Sequence, residues 1–222
     1  MAGYAFQIIP IKKFPSDGHF SCRYDLEDSA LSQSVKKWGV LFPLIVTRKS
    51  YQLIAGHKRF YASLKLGQDL LPALEIQKVL SEGEAFIFSA LSNWNQNWAE
   101  MDRVTTLSKA KNQYQVPSEE LVEFWLPALG LPSERHFLDS YLQLAALHED
   151  LKHLIHHQRL PFRGASLLLN FSQDDQKAFA LHIGAKLKLT SNQLLKIAEW
   201  IKDLCVLKKT NIEKLLAETN LV

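Results

Sequence analysis

The sequence predicts an α+β N-terminal domain, with a small mixed sheet and helices, followed by an all-α domain. Short apolar segments bounded by Gly and Pro fill the first ninety residues and read as alternating strands and helices. Beyond residue 100 the strand signals vanish, and helical periodicity continues between Pro and Gly breakers. We therefore expect a boundary between residues 95 and 105, with domains of residues 1–98 and 99–222.

The elements of the first domain each have a local signal. Leu31, Val35 and Trp38 are spaced three and four residues apart, which indicates one face of a helix, and the next residue, Gly39, ends it. Residues 48–50 separate two short apolar runs and predict a hairpin turn. The predicted strands are residues 6–11, 43–46, 51–54 and 70–79, and the predicted helices are residues 26–38, 62–66 and 82–93.

Composition and charge restrict the classes of function. The 222 residues include 26 Lys and Arg against 23 Asp and Glu, so any nucleic-acid surface has to be a local patch. The two cysteines, Cys22 and Cys205, lie far apart and match neither a metal nor a redox spacing. No apolar stretch reaches the ~18 residues that span a bilayer, so we expect a cytoplasmic protein with no membrane partner.

The most informative motif is the turn at residues 56–61, which follows an apolar strand and precedes a short helix. Gly56 lets the backbone approach a ligand, and the helix N-terminus presents unpaired N–H groups. Lys58 and Arg59 add two cations on the same turn. This combination suits a phosphate, although many solvated strand-to-helix turns also carry a glycine and two basic residues.

The order of these motifs resembles the N-terminal domain of ParB-type partition proteins, which have the ParB/sulfiredoxin fold. Those domains read roughly I-x-P-I near the start, then P-R, a helix ending in G, then P-I-x-V and I-x-A-G-E-R-R. The matching positions here are Ile9-Pro10-Ile11, Arg23, Gly39, Pro43-Leu44-Ile45-Val46 and Leu53-Ile54-Ala55-Gly56-His57-Lys58-Arg59. Sulfiredoxins place a reactive Cys directly after the glycine, and His57 at that position excludes their chemistry.

By position, the resemblance implies a site for CTP or another nucleotide, with Mg²⁺. The implied phosphate or nucleotide ligands are Gly56, His57, Lys58, Arg59, Arg23 and Asn93, with His57 standing where the family usually has Glu. The family motif Glu-Asn-x-x-Arg supplies the metal-binding and hydrolysis residues, and Ser92 replaces its Glu here. Because that carboxylate would hold Mg²⁺ and orient water, we expect weak or absent hydrolysis and assign no catalytic residue.

The second half resembles the ParB helix-turn-helix at residues 119–130 and 133–144. In the first helix the apolar residues Leu121, Val122, Phe124 and Trp125 are the expected buried face. In the second helix Ser133 is the expected N-cap, and the candidate DNA-binding residues are Ser133, Arg135, His136 and Gln143. Glu134 and Asp139 on the same face are unfavourable near a polyanion, and a helical bundle for protein contacts is the alternative.

Two other patterns allow a functional and a structural interpretation. His153 and His157 stand four apart with Glu149 one turn earlier, a spacing that fits a metal, but an exposed histidine-rich helix is the commoner explanation. Trp94 and Trp98 fit base stacking, but such a pair more often seals an interface. We assign no metal ligand.

The function that follows is that of a ParB-like DNA-binding protein, in which a nucleotide- or phosphate-binding turn controls a helix-turn-helix. DNA, a partition ATPase and a second copy of the chain are the expected partners. Residues 201–222 are short for a dimerisation domain and no basic tail precedes the first strand, so a plasmid, phage or mobile-element relative is expected. The alternatives are a nucleotide-dependent phosphotransferase or nuclease on the same fold, and a protein-binding module with a degenerate site.

Overall fold

A computed structural model describes residues 3–15, 18–94 and 97–218. The chain forms two compact units, the first of residues 1–97 and 109–116 and the second of residues 98–108 and 117–222. One helix therefore contributes residues to both units. The predicted boundary at residues 98–99 stays a prediction.

The first unit contains a four-stranded mixed sheet. Its strands are β1 (Tyr4–Pro10), β2 (Leu44–Val46), β3 (Leu53–Ala55) and β4 (Leu70–Ile76), and their order in the sheet is β1-β4-β2-β3. β1 and β4 pair antiparallel, β2 and β3 form the predicted antiparallel hairpin, and β2 pairs parallel with β4. The small mixed sheet with helices confirms the predicted α+β class.

The helices of the first unit are α1 (Ser29–Trp38), α2 (His57–Lys65) and α3 (Glu82–Ser92), with a 3₁₀ turn at Ile11–Lys13. α1 begins three residues later than predicted because the Asp28 carboxylate accepts a hydrogen bond from the Leu31 N–H at 3.0 Å and caps the helix. β4 ends at Ile76 instead of residue 79, before the capping box that Ser81 and Glu84 form at the start of α3.

A compact apolar core supports the glycine turn. Leu44 and Val46 on β2 are fully buried, and Phe60 on α2 packs in the same cluster. The remaining buried members are Ile9, Phe14, Leu53, Leu71 and Ala73. The core therefore fixes the end of β3 and the start of α2, which are the two elements that Gly56 joins.

The second unit is helical throughout the residues that the structure describes, as predicted. Its helices are α4 (Glu100–Asn112, shared with the first unit), α5 (Ser118–Glu120), α6 (Leu126–Ala128), α7 (Arg135–Leu144), α8 (Glu149–His156), α9 (Gln173–Phe179), α10 (Ser191–Lys208) and α11 (Ile212–Glu218). Short 3₁₀ and π segments occupy Ala165–Asn170 and Ala180–Gly184. Over the described part of the chain, no helix has both the length and the apolar character needed to cross a membrane.

Two predictions for residues 119–144 are wrong in detail. A π-helical turn at Leu121–Trp125 joins α5 to α6, with the Leu126 N–H donating to the carbonyl of Leu121 five residues earlier. Pro127 follows, and because proline has no N–H the backbone adjusts before it. The wider turn shifts the buried face, so Leu126 is buried while Phe124 is 45% exposed.

The N-cap of α7 also differs from the prediction. Glu134, not Ser133, occupies the N-cap position, and its side chain makes no capping hydrogen bond. Pro132 fixes the backbone ahead of it, and the Glu134 N–H donates to the Pro132 carbonyl at 2.8 Å. Ser133 is therefore an exposed residue of the connecting segment, which also contains Gly130 with φ of +73°.

Candidate functional site

Gly56 adopts a backbone conformation that requires glycine. Its φ is +96°, in the left-handed region, and it is the N-cap of α2. Its carbonyl accepts from the Phe60 N–H at 2.9 Å, which starts the helix. A Cβ at this position would lie 2.6 Å from Leu44 Cδ2 on β2. The close approach of the turn to the sheet therefore depends on the missing side chain.

A cavity of about 630 Å³ opens at this turn. The residues that line it are Arg23, Asp28, Leu31, Phe42, Ala55, Gly56, His57, Lys58, Arg59, Ser92, Asn93 and Asn97. All six predicted phosphate or nucleotide residues are in this set, although they come from three separate parts of the sequence. The structure thus brings together side chains that the sequence left 70 residues apart.

Arg59 is a partly buried cation. Its Nη1 donates to the carbonyls of Phe42 and Pro43, at 3.0 Å for Pro43. Burial lowers the pKa of the Arg59 guanidinium. Among the residues that the structure describes, no carboxylate lies within ion-pair distance of it. A cation held by dipoles alone in a cavity is well placed to attract an anion.

Lys58 has a carboxylate neighbour that the sequence did not indicate. Its Nζ lies 3.6 Å from Asp28 Oδ2, and both side chains are about one-third exposed. Asp28 is at the same time the N-cap of α1, so its position is fixed by the helix it caps. The pair links the start of α1 to the first turn of α2.

Arg23 and Asn93 line the same cavity and are hydrogen-bonded to each other. Arg23 Nη2 donates to Asn93 Oδ1 at 3.2 Å, and Nη1 donates to the Asn97 carbonyl at 3.0 Å. Asn93 Nδ2 in turn donates to the Ser89 carbonyl one turn earlier on α3. The end of α3 therefore orients the guanidinium of Arg23 towards this cavity.

The side chains of His57 and Ser92 are less accessible to a ligand than those of Arg23, Lys58 and Arg59. The His57 side chain is only 6% exposed and also lines a smaller cavity of about 90 Å³ with Phe60 and Leu64. The Ser92 hydroxyl donates to the Phe88 carbonyl at 2.8 Å. Of the predicted residues, Gly56, Lys58, Arg59 and Arg23 have the geometry that suits an anion best, and all ligand roles stay predictions.

The chemistry of the cavity is that of an anion site with one acidic group. Three cations and the N-terminus of a nine-residue helix line it, against a single carboxylate, Asp28, in the described part of the chain. Its volume falls in the range of ligand pockets, roughly 300–1,000 Å³. The donors present also fit Mg²⁺, which needs one or two carboxylates plus phosphate oxygens, because Asp28 supplies one.

Sequence reasoning missed several lining residues, among them Asp28, Phe42 and Asn97. Asp28 carries the signal of a helix N-cap before an apolar periodic segment, which locates it at a helix start. Nothing in the sequence brings that start close to Gly56, because the contact depends on how α1 packs on α2. Phe42 is exposed and lines the cavity with an aromatic face that can stack a base.

Of the four predicted DNA-binding residues, Arg135, His136 and Gln143 lie on the exposed face of α7, and Ser133 lies in the segment before it. Arg135 Nε lies 3.2 Å from Asp139 Oδ1 one turn later, and His136 Nδ1 lies 3.3 Å from Glu134 Oε2. Ser133 and Gln143 are exposed as well. The two acidic residues therefore reduce the positive charge of this face. Whether these residues contact DNA stays a prediction.

The buried side of α7 is anchored to α4. The Tyr141 hydroxyl donates to Glu100 Oε2 at 2.5 Å, and Glu100 also pairs with Arg103 at 3.2 Å. Burial, followed by the nearby Glu100 carboxylate, raises the pKa of Tyr141. Leu138 and Leu144 are buried on the same side. These contacts hold α7 against α4, which fixes the direction of its exposed face.

The structure also locates the two histidines and the two tryptophans that the sequence singled out. His153 and His157 have ring centroids 4.3 Å apart, and within the described residues no group of three His, Cys, Asp or Glu is placed to hold a metal. Trp94 is 39% exposed at the end of the first unit. Trp98 belongs to the second unit.

Residues 17–93 match the family model of the ParB N-terminal domain. The mixed sheet and its glycine turn thus belong to an α+β domain of the ParB N-terminal type. The first half of the chain is thus similar to the N-terminal domain of ParB proteins, as the sequence resemblance predicted.

Curated relatives agree with this assignment. A probable chromosome-partitioning protein ParB of Pseudomonas putida is 23% identical over 194 residues, which is 84% of this chain and 64% of the relative. A probable plasmid-partitioning protein ParB of Thermus thermophilus is 29% identical over 61% of this chain and 56% of the relative. Stage 0 sporulation protein J of Bacillus subtilis is 29% identical over 60% and 46%. The chain thus spans about half to two thirds of the length of these relatives.

Solved structures of ParB proteins share a more distant similarity. C-terminally truncated ParB from Caulobacter crescentus, complexed to the centromeric parS site, matches with a TM-score of 0.45 and 16% identity, over 87% of this chain and 98% of that one. The same protein complexed with CTP-gamma-S matches with a TM-score of 0.37 and 17% identity, over 81% and 98%.

Proposed function

We propose that the cavity at Gly56 binds the phosphates of a nucleotide. The observation that carries this proposal is the convergence of Arg23, Lys58 and Arg59 on the N-terminal turn of α2. Phosphate oxygens would accept hydrogen bonds from the N–H groups at the N-terminus of α2 and from the three cationic side chains. Phe42 and Leu31 on the apolar side of the cavity would contact the base.

The second unit would bind DNA through a helix-turn-helix at residues 118–144. α5, the π-helical turn and α6 form the first helix, residues 129–134 form the connection, and α7 is the second helix. Arg135, His136 and Gln143 on its exposed face are the candidate base and phosphate contacts.

Nucleotide binding in the first unit would change the DNA-binding state of the second. Such coupling requires that the nucleotide bind one conformation of the chain better than another. Partition of a plasmid or chromosome is the biological setting that the names of the relatives support, and a mobile-element role is the alternative. A second copy of the chain and a partition ATPase are the corresponding partners.

Hydrolysis of the nucleotide is expected to be weak or absent. Ser92 replaces the Glu of the family motif, and its hydroxyl is engaged with the Phe88 carbonyl. Asp28 offers the cavity a carboxylate from α1 instead. It would hold Mg²⁺ against the phosphates, while Mg²⁺ supplies charge neutralisation when bound.

Calorimetric titration with CTP, ATP and GTP in the presence of Mg²⁺ tests the nucleotide site. CTP is the first nucleotide to test because the resemblance to ParB-type proteins implies it. Lys58→Ala removes one proposed phosphate contact and is expected to weaken binding about tenfold or more, since a hydrogen bond to a charged group contributes about 1.5–3 kcal/mol. Lys36→Ala on the exposed side of α1 is the matched control for loss of one surface cation.

Arg59→Ala is a less specific variant because Arg59 also holds the Phe42 and Pro43 carbonyls. Circular dichroism on each variant separates loss of binding from loss of fold. Nucleotide binding that is equal in Lys58→Ala and Lys36→Ala would disprove the site. Binding to the site without any effect on duplex DNA affinity, measured by anisotropy, would disprove the coupling alone.

A further inference from the structure

β1 is an edge strand with one open side. Within the residues that the structure describes, it pairs only with β4, and the strand order β1-β4-β2-β3 leaves its other side without a neighbouring strand. The Gln77 N–H donates to the Gly3 carbonyl and the Ile11 N–H donates to the Asp69 carbonyl. Because hydrogen-bonded pairs alternate along an antiparallel ladder, the odd-numbered residues of β1 face β4.

The even-numbered residues of β1 therefore direct their backbone groups outward. Tyr4, Phe6 and Ile8 each have an outward N–H and C=O, and Pro10 has an outward C=O only. Among the described residues, the outward groups of Tyr4, Phe6 and Ile8 have no hydrogen-bond partner, and the Pro10 carbonyl is the N-cap acceptor of the 3₁₀ turn at Ile11–Lys13. A row of such groups along a seven-residue strand is a template for another strand.

The side chains of the same residues are exposed and apolar. Tyr4 is 47%, Phe6 is 61% and Ile8 is 54% exposed. On β4 the register places Leu74 opposite Phe6 and Pro72 opposite Ile8, which widens the apolar surface. Natural edge strands usually carry charges, a bulge or a central proline that block pairing, and β1 has none of these between residues 4 and 9.

We propose that β1 pairs with β1 of a second copy of this chain, antiparallel about a two-fold axis at Gln7. This register overlaps all seven residues of the strand. The two sheets would then become one continuous sheet through the β1–β1 junction. A two-fold axis places the same surface on both copies, so the strand must be complementary to itself.

The sequence of β1 meets that requirement. Across the axis Phe6 faces Ile8 of the second copy, and an aromatic residue opposite a β-branched one is a favourable cross-strand pair. Phe6 and Ile8 would exchange two backbone hydrogen bonds on each side of the axis. The Tyr4 N–H would donate to the Pro10 carbonyl of the second copy, so the proline that lacks an N–H stands where the ladder ends.

The inner face of the strand is compatible with this pairing. Gln7 at the axis is directed to the other side of the sheet, where its Nε2 donates to Glu75 Oε2 at 3.0 Å. No charged side chain lies between residues 4 and 10, so the two copies bring no like charges together at the junction. The occupant that the strand fits is thus an uncharged strand of its own sequence.

Sedimentation velocity of the whole chain, from low to high micromolar concentration, measures the self-association. Phe6→Lys introduces two charges at the junction, and Ile8→Pro removes an outward N–H that makes no bond within the chain. Each is expected to raise the dimer dissociation constant at least about tenfold. Leu41→Lys, an equally exposed change away from β1, is the control and should leave it unchanged.

Disulfide trapping tests the register itself, in a Cys205→Ser background. Phe6→Cys and Ile8→Cys proteins mixed together should form a linked heterodimer, because paired residues lie about 5.5 Å apart between Cα atoms. Either protein alone should link much less. Thermal melts confirm that each variant is folded, and Phe6→Lys remains informative if Ile8→Pro does not fold.

Three results would overturn the proposal. The first is a chain that stays monomeric at every concentration. The second is a dimer that Phe6→Lys leaves intact, since that dimer uses another surface. The third is trapping that is no faster in the mixture than in the separate Cys variants. None of these results bears on nucleotide binding at Gly56, so the two proposals fail independently.

Discussion

The Lys58 ammonium lies 3.6 Å from the Asp28 carboxylate, and both groups line the cavity at Gly56. The carboxylate comes from the cap of α1 and the ammonium from the first turn of α2. An anion that enters the cavity would compete with Asp28 for Lys58. Asp28 therefore sets how strongly the site favours a metal-bound phosphate over a bare one.

Asp28→Asn should tighten the binding of a nucleoside triphosphate in the presence of EDTA, by about three- to tenfold. The carboxylate repels phosphate and occupies Lys58, and the amide does neither. Asparagine caps a helix as well as aspartate does, so α1 should keep its start. Calorimetric titration with and without Mg²⁺ measures the change.

In Mg²⁺ the same variant should gain less, or lose affinity, because the carboxylate is the metal donor that the cavity offers. Asp25→Asn, which changes a nearby carboxylate outside the cavity lining, controls for net charge. Unchanged or weaker binding in EDTA would show that Asp28 does not oppose the phosphates.

Gly56→Ala should destabilise the protein by roughly 2–4 kcal/mol. One part is the cost of φ near +96° for a residue with a Cβ, and the other is the clash with Leu44 Cδ2 at 2.6 Å. Gly67→Ala is the matched control, because Gly67 has φ of +67° but open space around it. It should lose only about 1–2 kcal/mol. Urea unfolding measures both, and equal losses would mean that packing against β2 contributes nothing.

The sequence was sufficient for elements with strong local signals. The glycine after Trp38 and the apolar spacing before it located α1 to within three residues at its start. The hairpin around residues 48–50 and the position of Gly56 between a strand and a helix were also predicted correctly, because turn residues and alternation are local properties. The helix itself begins at His57, five residues before the predicted start. The mixed class of the first half and the helical second half follow from the same periodicities.

Features that depend on tertiary packing were not predictable. Asp28 reaches Lys58 only because α1 and α2 pack together, and no sequence period encodes that contact. Phe124 was expected inside, but the π-helical turn ahead of Pro127 rotates it outward. His57 was expected among the phosphate ligands, and no sequence pattern indicated that its side chain would be only 6% exposed.

Glu84 should make a pH-dependent contribution to stability. Its carboxylate accepts a hydrogen bond from Lys78 Nζ at 2.8 Å and from the Ser81 N–H at 2.9 Å. These bonds, the Lys78 bond first, lower the pKa of Glu84 from 4.5 to about 2. Because the pKa is lower in the folded state, the stabilisation is fully present above pH 4.5 and is lost as the pH falls towards about 2.

Glu84→Gln tests this pH dependence of stability, because glutamine keeps the capping box without the charge. The difference in unfolding free energy between wild type and variant, from urea titrations at low salt, should be constant above pH 4.5 and shrink below it. Glu82→Gln, on the same first turn of α3, controls for loss of a carboxylate near a helix N-terminus. A difference that does not change between pH 4.5 and 2 would contradict the assignment.

Asp139→Asn should strengthen binding of duplex DNA, and Arg135→Gln should weaken it. The two side chains form an exposed ion pair at 3.2 Å on α7. Asp139 therefore competes with DNA phosphate for the Arg135 guanidinium, and its own negative charge repels the DNA.

Anisotropy with a mixed-sequence duplex over a salt series measures both effects, and Arg135→Gln should reduce the salt slope by about one if Arg135 contacts phosphate. Asp203→Asn on α10 makes the same change of charge elsewhere. Equal gains in Asp139→Asn and Asp203→Asn would mean that α7 responds only to net charge, and that its exposed face is not the surface that meets DNA.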